Sequence, residues 1–264
     1  MIKFDGVNYI YNQGLACEKK ALDNVNIEID ENKIIGLIGK SGSGKSTFVQ
    51  LFNKLLKPTS GKIFIDKKRI GLVFQYAENQ IFEMTVEEEI GFGIRKYVPE
   101  KKIKKILEVL DLVGLDKSYL KKNPFELSGG EKRKVAIAGI LVLEPEILIL
   151  DEPTVGLDLK SQKEILENIK NLKQKFNMTV IIVSHDMNVI SEFCDKVIFL
   201  RDGKIIFYGD TYKVFDLNDF DLELPWAKKL AKKLVKKNFF VPENIILFDD
   251  LVEYVAKKIK EKKN

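Results

Sequence analysis

Histidine is almost absent from this chain: His185 is the only one in 264 residues. Cysteine is scarce as well. Cys17 and Cys194 lie far apart with no CxxC spacing, which argues against a disulfide framework and for reduced thiols. No apolar run reaches the roughly 20 residues that a membrane-spanning helix needs. The most apolar stretch, residues 135–150, is interrupted by Glu144, Pro145 and Glu146. The N-terminus, MIKFDGVNYIYN, holds no apolar segment of signal-peptide length, so the chain is expected not to cross a membrane itself. It has no internal repeat. Charge of one sign is not in large excess either, with 44 Lys and Arg against 39 Asp and Glu for a net +5. A nucleic-acid binder more often gathers its surplus on one face. Here the densest basic run lies near the C-terminus, which leaves a phosphate-rich partner or a membrane surface open.

What is present is an α/β pattern of short apolar runs alternating with longer amphipathic segments. Apolar residues make up 45% of the chain, a fraction usual for globular proteins. Residues 33–39 (KIIGLIG) read as a buried strand and 46–56 as the helix that follows. Residues 147–150 and 180–183 are fully apolar, as central parallel strands covered on both faces would be. Residues 197–200 and 205–208 flank Asp202-Gly203 and read as a hairpin. Between Gln75 and Glu144 the pattern is mainly helical, with helices expected over 86–95 and 101–113 and Gly114 as a C-cap. Past Tyr212 the character changes. A boundary near residue 216 precedes two amphipathic helices, over 224–237 and 248–260.

Residues 39–46 read Gly39-Lys40-Ser41-Gly42-Ser43-Gly44-Lys45-Ser46, with Thr47 next. This is GxxxxGKS between an expected strand and an expected helix. Gly42 and Gly44 let the backbone curl and aim its N–H groups at phosphates. The helix start near Ser46 adds its positive dipole end. Lys45 supplies a point charge for the β- and γ-phosphates of a nucleotide, and the Ser46 hydroxyl suits Mg²⁺. The alternative is a glycine-rich turn with no ligand.

Four further features accompany this loop. Leu127-Ser128-Gly129-Gly130-Glu131 opens an amphipathic segment, with Ser128 as N-cap and Glu131 completing a capping box. It reads either as a well-capped helix or as a second anion site. Residues 147–150 end in Asp151 and Glu152. Asp151 can hold a Mg²⁺ shell, and Glu152 is placed to act as general base toward water; a solvated acidic loop is the plainer reading. His185 follows the 180–183 strand, where open α/β sheets bind ligands, although a lone histidine is often structural. Gln75 follows the apolar run 70–74 and offers an amide to Mg²⁺ or to water.

Together these residues resemble the ATP-binding cassette (ABC) family over roughly residues 1–215. The Walker A motif is Gly39–Ser46, the Q-loop is Gln75, the signature is Ser128, Gly129, Gly130 and Glu131 after Leu127, Walker B ends in Asp151 and Glu152, and the switch is His185. The resemblance implies an α/β fold, a P-loop NTPase ABC nucleotide-binding domain. It has a RecA-like parallel-sheet core, an antiparallel β subdomain and a helical signature subdomain over about 76–145. A small C-terminal helical extension over 216–264 would be a dimer contact. The resemblance also implies ATP and Mg²⁺ as ligands, with Ser46, Gln75 and Asp151 around the metal. The dimer is head-to-tail, and Ser128 and Gly130 of one subunit meet the γ-phosphate held by Lys45 of the other. Asp158, in Gly156-Leu157-Asp158, resembles the D-loop that crosses that interface. Tyr11 resembles the aromatic that stacks on adenine, with Tyr9 as competitor. Glu131 stands where glutamine is commonest.

Residues 75–86 (QYAENQIFEMTV) are similar to the Q-loop region of energy-coupling factor ATPases, with Ala77 in place of the usual proline and Ile81 in place of leucine. The tail over 222–255 and the insert after Tyr11 resemble the second ATPase type of that subfamily. This implies an ATPase powering uptake of a vitamin or transition-metal ion from the cytoplasmic face of the cell membrane. It would pair with a paralogous ATPase or with itself, and dock on a transmembrane coupling subunit that carries a substrate-binding membrane subunit. The acids Glu78, Glu83, Glu87, Glu88 and Glu89 are candidates to receive a coupling helix. The absence of a coiled-coil insertion between Gly39 and Ser128 disfavours DNA-repair cassettes, and no nucleic-acid partner is expected. A conventional ABC importer ATPase is the alternative.

Overall fold

The computed structural model describes residues 1–66, 68–217, 221–242 and 244–263, and the side chains of these except 77, 78 and 261–263. The chain begins with β1 (Ile2–Tyr11), β2 (Lys19–Ile29), β3 (Ile34–Ile38), α1 (Lys45–Phe52), β4 (Ser60–Ile65) and β5 (Ile70–Val73). Three helices follow: α2 (Val86–Gly91), α3 (Pro99–Leu112) and α4 (Gly129–Leu141). Then come β6 (Ile147–Asp151), α5 (Leu159–Phe176), β7 (Thr179–Val183), α6 (Met187–Phe193), β8 (Lys196–Arg201) and β9 (Lys204–Asp210). The last elements are α7 (Thr211–Val214), α8 (Trp226–Lys236) and α9 (Phe248–Lys263).

Two sheets organise these elements. One is antiparallel, in the order β2-β1-β4, and the other has the order β5-β6-β7-β3-β8-β9. Within the second sheet β5, β6, β7, β3 and β8 are parallel, and β9 closes the edge as an antiparallel hairpin with β8. Side chains alternate across a strand, and the parallel strands use both faces. Ile34, Leu148, Val180 and Val197 face the core shared with α2 to α6. Ile35, Ile149, Ile181 and Ile198 face a second core beneath the antiparallel sheet, which also takes up α1. That double burial is why these strands read as unbroken apolar runs. In the second core Phe4 stacks on Phe48 at 4.7 Å between ring centroids and lies 5.8 Å from Phe52. All three rings are fully buried, and each contributes on the order of 1.5–3 kcal/mol by leaving water. They fix α1, and with it the loop before it, against the sheet.

The hairpin expected at Asp202-Gly203 is present. Both residues have positive φ, 49° and 75°, as a two-residue turn matched to strand twist requires. Two helices are shorter than their sequence pattern. The helix expected over 46–56 stops at Phe52. Lys54 turns left-handed at φ 58°, and the amides of Leu55 and Leu56 both return to the Gln50 carbonyl, at 2.8 and 3.1 Å, which ends the helix. The helix expected over 86–95 ends at Gly91 and tightens into a 3₁₀ turn over Phe92–Ile94. Gly114, at φ 71°, follows α3 and lets the Leu115 amide bond back to the Leu110 carbonyl at 2.9 Å.

Beyond α7 the chain builds a separate small core from Ala227, Ala231, Val241, Ile245 and Leu251. Polar links hold this part to the rest. The Trp226 amide donates to Asn188 Oδ1 at 2.9 Å, and the buried Lys228 donates to Asp216 at 2.8 Å. Among the described residues no helix is long and apolar enough to cross a membrane.

Candidate active site

The carboxyl ends of β5, β6, β7 and β3 stand side by side in the parallel sheet. Gln75, Asp151 with Glu152, His185 and the Gly39–Thr47 loop leave those ends in the same order. An open α/β sheet binds its ligand at this edge, so the sheet order gathers residues far apart in the chain.

The loop between β3 and α1 can be built only with glycine at two points. A Cβ on Gly39, at φ 152°, would lie 2.2 Å from the Leu200 carbonyl oxygen. One on Gly44, at φ 106°, would lie 2.6 Å from the Ala21 carbonyl oxygen. Lys45 folds back over the loop and donates to the carbonyls of Gly39 at 2.7 Å and Lys40 at 2.9 Å. Burial lowers its pKa, opposed by the nearby Glu152 and Asp151. Ser46 is exposed at the start of α1, as is Ser41 in the loop. Ser43 is buried and its hydroxyl has no hydrogen-bond partner. Lys40 is exposed and pairs with Asp221 at 2.7 Å, which holds the Asp221 carboxyl below its ordinary range. Tyr11 reaches α1, its hydroxyl 3.1 Å from Thr47 Oγ1. Tyr9 packs edge-on against the Tyr11 ring at 4.8 Å and is partly buried against the second core.

Asp151 closes β6. Burial, and then the charge of Glu152, raises its pKa, and Lys45 opposes the shift. Glu152 is bound at several points. Its backbone adopts a left-handed φ of 50°, uncommon for a residue with a side chain. Its amide donates to the Val183 carbonyl at 2.9 Å. Its Oε1 lies 2.9 Å from His185 Nδ1, while Oε2 is buried without a partner. The Glu152 side chain is 12% exposed and the His185 side chain 72%. The pair thus joins a sheltered carboxylate to an imidazole open to solvent. Gln75 is half-buried just past β5.

The residues present fit a magnesium ion bound with a nucleotide. Ser46, Gln75 and Asp151 offer oxygen donors, the kind this ion prefers. Asp151 lies beside Glu152, whose Oε2 is orphaned among the described residues, and Lys45 opposes the raised Asp151 pKa. No cluster of three His, Cys, Asp or Glu suited to a metal occurs among the described residues.

The signature residues stand at the N-terminus of α4 with their capping box formed. Ser128 N and Oγ donate to Glu131 Oε2 at 2.8 and 2.6 Å, and Tyr119 donates to Oε1 at 2.5 Å. These donors, Ser128 first, depress the Glu131 pKa to about 2. A lowered carboxyl pKa stabilises the fold above the unfolded value of 4.5 and loses that contribution as pH falls toward 2. Glu131→Gln should therefore cost stability at pH 6, and the gap from wild type should narrow by pH 3. Urea unfolding at the two pH values measures it, and a constant gap would contradict the assignment. Ser128 and Gly129 are exposed, and a Cβ on Gly129 would meet nothing within 4 Å. Asp158 caps α5, accepting from the amides of Lys160 and Ser161 at 3.0 Å.

Sequence reasoning missed Arg133. It is 5% exposed, and its guanidinium bonds to the backbone near Gln75 and Glu152. A basic residue in an amphipathic segment gives no sign of that in sequence. Four of the acids beside the Q-loop have partners within the chain. Glu83 pairs with Arg95, Glu87 with Lys121, Glu88 with the Thr85 hydroxyl, and Glu89 accepts the amides of Phe82 and Glu83. The Glu78 side chain lies outside the described residues. This segment also exposes large apolar side chains: Phe74, Tyr76, Phe82, Met84 and Phe92.

Residues 22–155 match the family model described as ABC transporter. The chain belongs to the ABC transporter family of ATPases. Within the family it resembles a particular group. It is 44% identical to energy-coupling factor transporter ATP-binding protein EcfA2 of Acetivibrio thermocellus, an alignment covering 98% of this chain and 99% of that one. The EcfA2 protein of Enterococcus faecalis is 40% identical, with 98% of each chain covered. Among solved structures of ABC proteins, cbiO1 from Clostridium perfringens, described as part of the ABC transporter complex cbiONQ, superposes with a TM-score of 0.76 at 33% identity. That match covers 89% of this chain and 94% of the other. A dimeric ATP-binding cassette in a post-hydrolysis state bound to ADP and Pi gives 0.71 at 34% identity, over 80% of this chain and 99% of that one. This ABC ATPase is thus the ATP-binding subunit of an energy-coupling factor transporter.

Proposed function

We propose that this ABC ATPase hydrolyses MgATP at two composite sites, each shared with a second ATPase subunit, to drive import of a vitamin or transition-metal ion. The observation that carries the shared site is the open space at Gly129, in the first turn of α4. Gly129 has neither a positive φ nor a neighbour that would exclude a side chain. A single chain does not need glycine there, whereas a phosphate approaching from a partner's loop does.

In this reading Lys45 and the backbone of Gly39, Lys40, Ser41, Gly42, Ser43 and Gly44 hold the phosphates of ATP, and Tyr11 stacks on the adenine. Ser46, Gln75 and Asp151 would hold the magnesium, which supplies charge stabilisation on the β- and γ-oxygens when bound. Glu152 accepts the proton of the attacking water. His185 fixes the Glu152 carboxylate through Nδ1 and turns its other nitrogen to the γ-phosphate. The amides of Gly129 and Gly130 donate to the partner's γ-phosphate, the Ser128 hydroxyl joins them once its proton turns away from Glu131 Oε2, and Glu131 keeps hold of the Ser128 amide. Asp158 orders the loop that faces the partner. Hydrolysis removes the shared anion and lets the pair open.

The exposed aromatics beside Gln75 support docking on a transmembrane coupling subunit at the cytoplasmic face, through an apolar more than an acidic contact. A paralogous ATPase or a second copy completes the dimer, assisted by residues 216–264. The test is Gly129→Ala. The variant should keep its melting temperature and its ATP affinity, because its methyl group meets nothing in the chain. It should lose most ATP-driven pairing by light scattering. Undiminished pairing and hydrolysis would remove the support for a shared site.

A further inference from the structure

Arg133 lies on α4, five residues past the N-cap of the signature helix, yet its bonds leave that helix. Nη1 donates to the Pro153 carbonyl at 2.7 Å and to the Val155 carbonyl at 2.9 Å, and Nη2 donates to the Gln75 carbonyl at 3.2 Å. Three segments of the active site thus meet on one buried guanidinium. Pro153 follows Glu152 directly, and Glu152 keeps a left-handed φ of 50°. Such a conformation is strained for a residue with a side chain and persists only where its surroundings over-determine it. The Glu152 amide is already tied to Val183 at 2.9 Å. The turn on the other side of Glu152 is tied by Arg133.

We propose that Arg133 is a positioning residue for ATP hydrolysis: it clamps the turn over residues 153–155 so that the Glu152 carboxylate stays aimed at the attacking water, and it links that aim to the backbone of Gln75. Its planar fork serves two neighbouring carbonyls through one nitrogen and a third through the other, which an ammonium cannot reproduce. Movement of the Gln75 segment changes the pull on the guanidinium and so the alignment of Glu152. Arg133 does not touch substrate. This inference rests on Glu152 acting as general base.

The experiment compares Arg133→Met, Arg133→Lys, Glu152→Gln and the Arg133→Met/Glu152→Gln double variant in the assembled transporter, with nucleotide affinity and ATPase kinetics measured for each. Arg133→Met should lower kcat about 10- to 100-fold, the scale expected for a misplaced catalytic group, while the Kd for ATP stays within about twofold. Arg133→Lys should recover part of kcat. In the Glu152→Gln background, where no base is left to aim, Arg133→Met should change the residual rate little. Should Arg133→Met fail to fold, by its melting curve, Arg133→Lys carries the same test of lowered kcat at unchanged Kd. Wild-type kcat in a folded Arg133 variant, a loss confined to Kd, or an equal loss in both backgrounds would each overturn the inference. Failure of the underlying reading looks different: Glu152→Gln would itself hydrolyse at the wild-type rate.

Discussion

Replacing Glu152 by glutamine should slow ATP hydrolysis by about 10²–10⁴-fold, the usual contribution of a general base, and leave ATP binding intact. The geometry separates the two effects. Glu152 Oε1 faces His185 Nδ1 at 2.9 Å and Oε2 is the atom without a partner. A glutamine amide can still meet the histidine, so the site should keep its shape, but it cannot accept a proton from water. With the chemistry blocked, both composite sites should remain loaded and the ATPase pair closed. Phosphate-release kinetics and the nucleotide content of the purified dimer measure the two outcomes. Hydrolysis at the wild-type rate would remove Glu152 from the mechanism.

Replacing Lys45 by alanine should act on the other side of the division, at binding. Its ammonium is desolvated and spends two hydrogen bonds on the Gly39 and Lys40 carbonyls. It thereby holds the loop in shape and keeps a positive charge where phosphates would sit. A hydrogen bond to a charged group is worth about 1.5–3 kcal/mol, so the Kd for MgATP should rise roughly 10- to 150-fold. Titration calorimetry on the isolated chain measures it. Unchanged affinity would contradict the phosphate-loop assignment. Asp151 provides an internal check: Lys45 is the charge opposing its raised pKa, and losing that charge should raise the pKa further.

The parallel sheet was legible in the sequence because burial on both faces leaves no polar residue in residues 147–150 or 180–183. The loop at Gly39–Thr47 was legible for a different reason: a Cβ on Gly39 or Gly44 would meet a backbone oxygen at a distance no Cβ tolerates. The antiparallel sheet was harder to place from its residues. β1 carries three register shifts against β2, so its apolar residues fall out of the simple alternation that marks a strand. Helix ends were read too long at residues 52 and 91, because Lys54 and the turn after Gly91 depart from helical geometry without a proline or glycine to announce it at Lys54. Arg133 was invisible for a deeper reason. Its role at the active site is to bond backbone carbonyls, which every residue carries, so the sequence holds no pattern that marks it. The acids beside Gln75 are the opposite case. Their clustering is plain in the sequence, but their partners are not: Glu83, Glu87, Glu88 and Glu89 each bond within their own subdomain.

In the proposed mechanism the phosphate loop of one ATPase subunit and the signature helix of another enclose the same γ-phosphate. Vanadate trapped with MgADP occupies that phosphate position and, on irradiation, cleaves the backbone beside it. In the assembled transporter the account predicts cuts at two places in the ATPase subunits, within residues 39–47 and within residues 127–131. Cuts confined to residues 39–47 would contradict it.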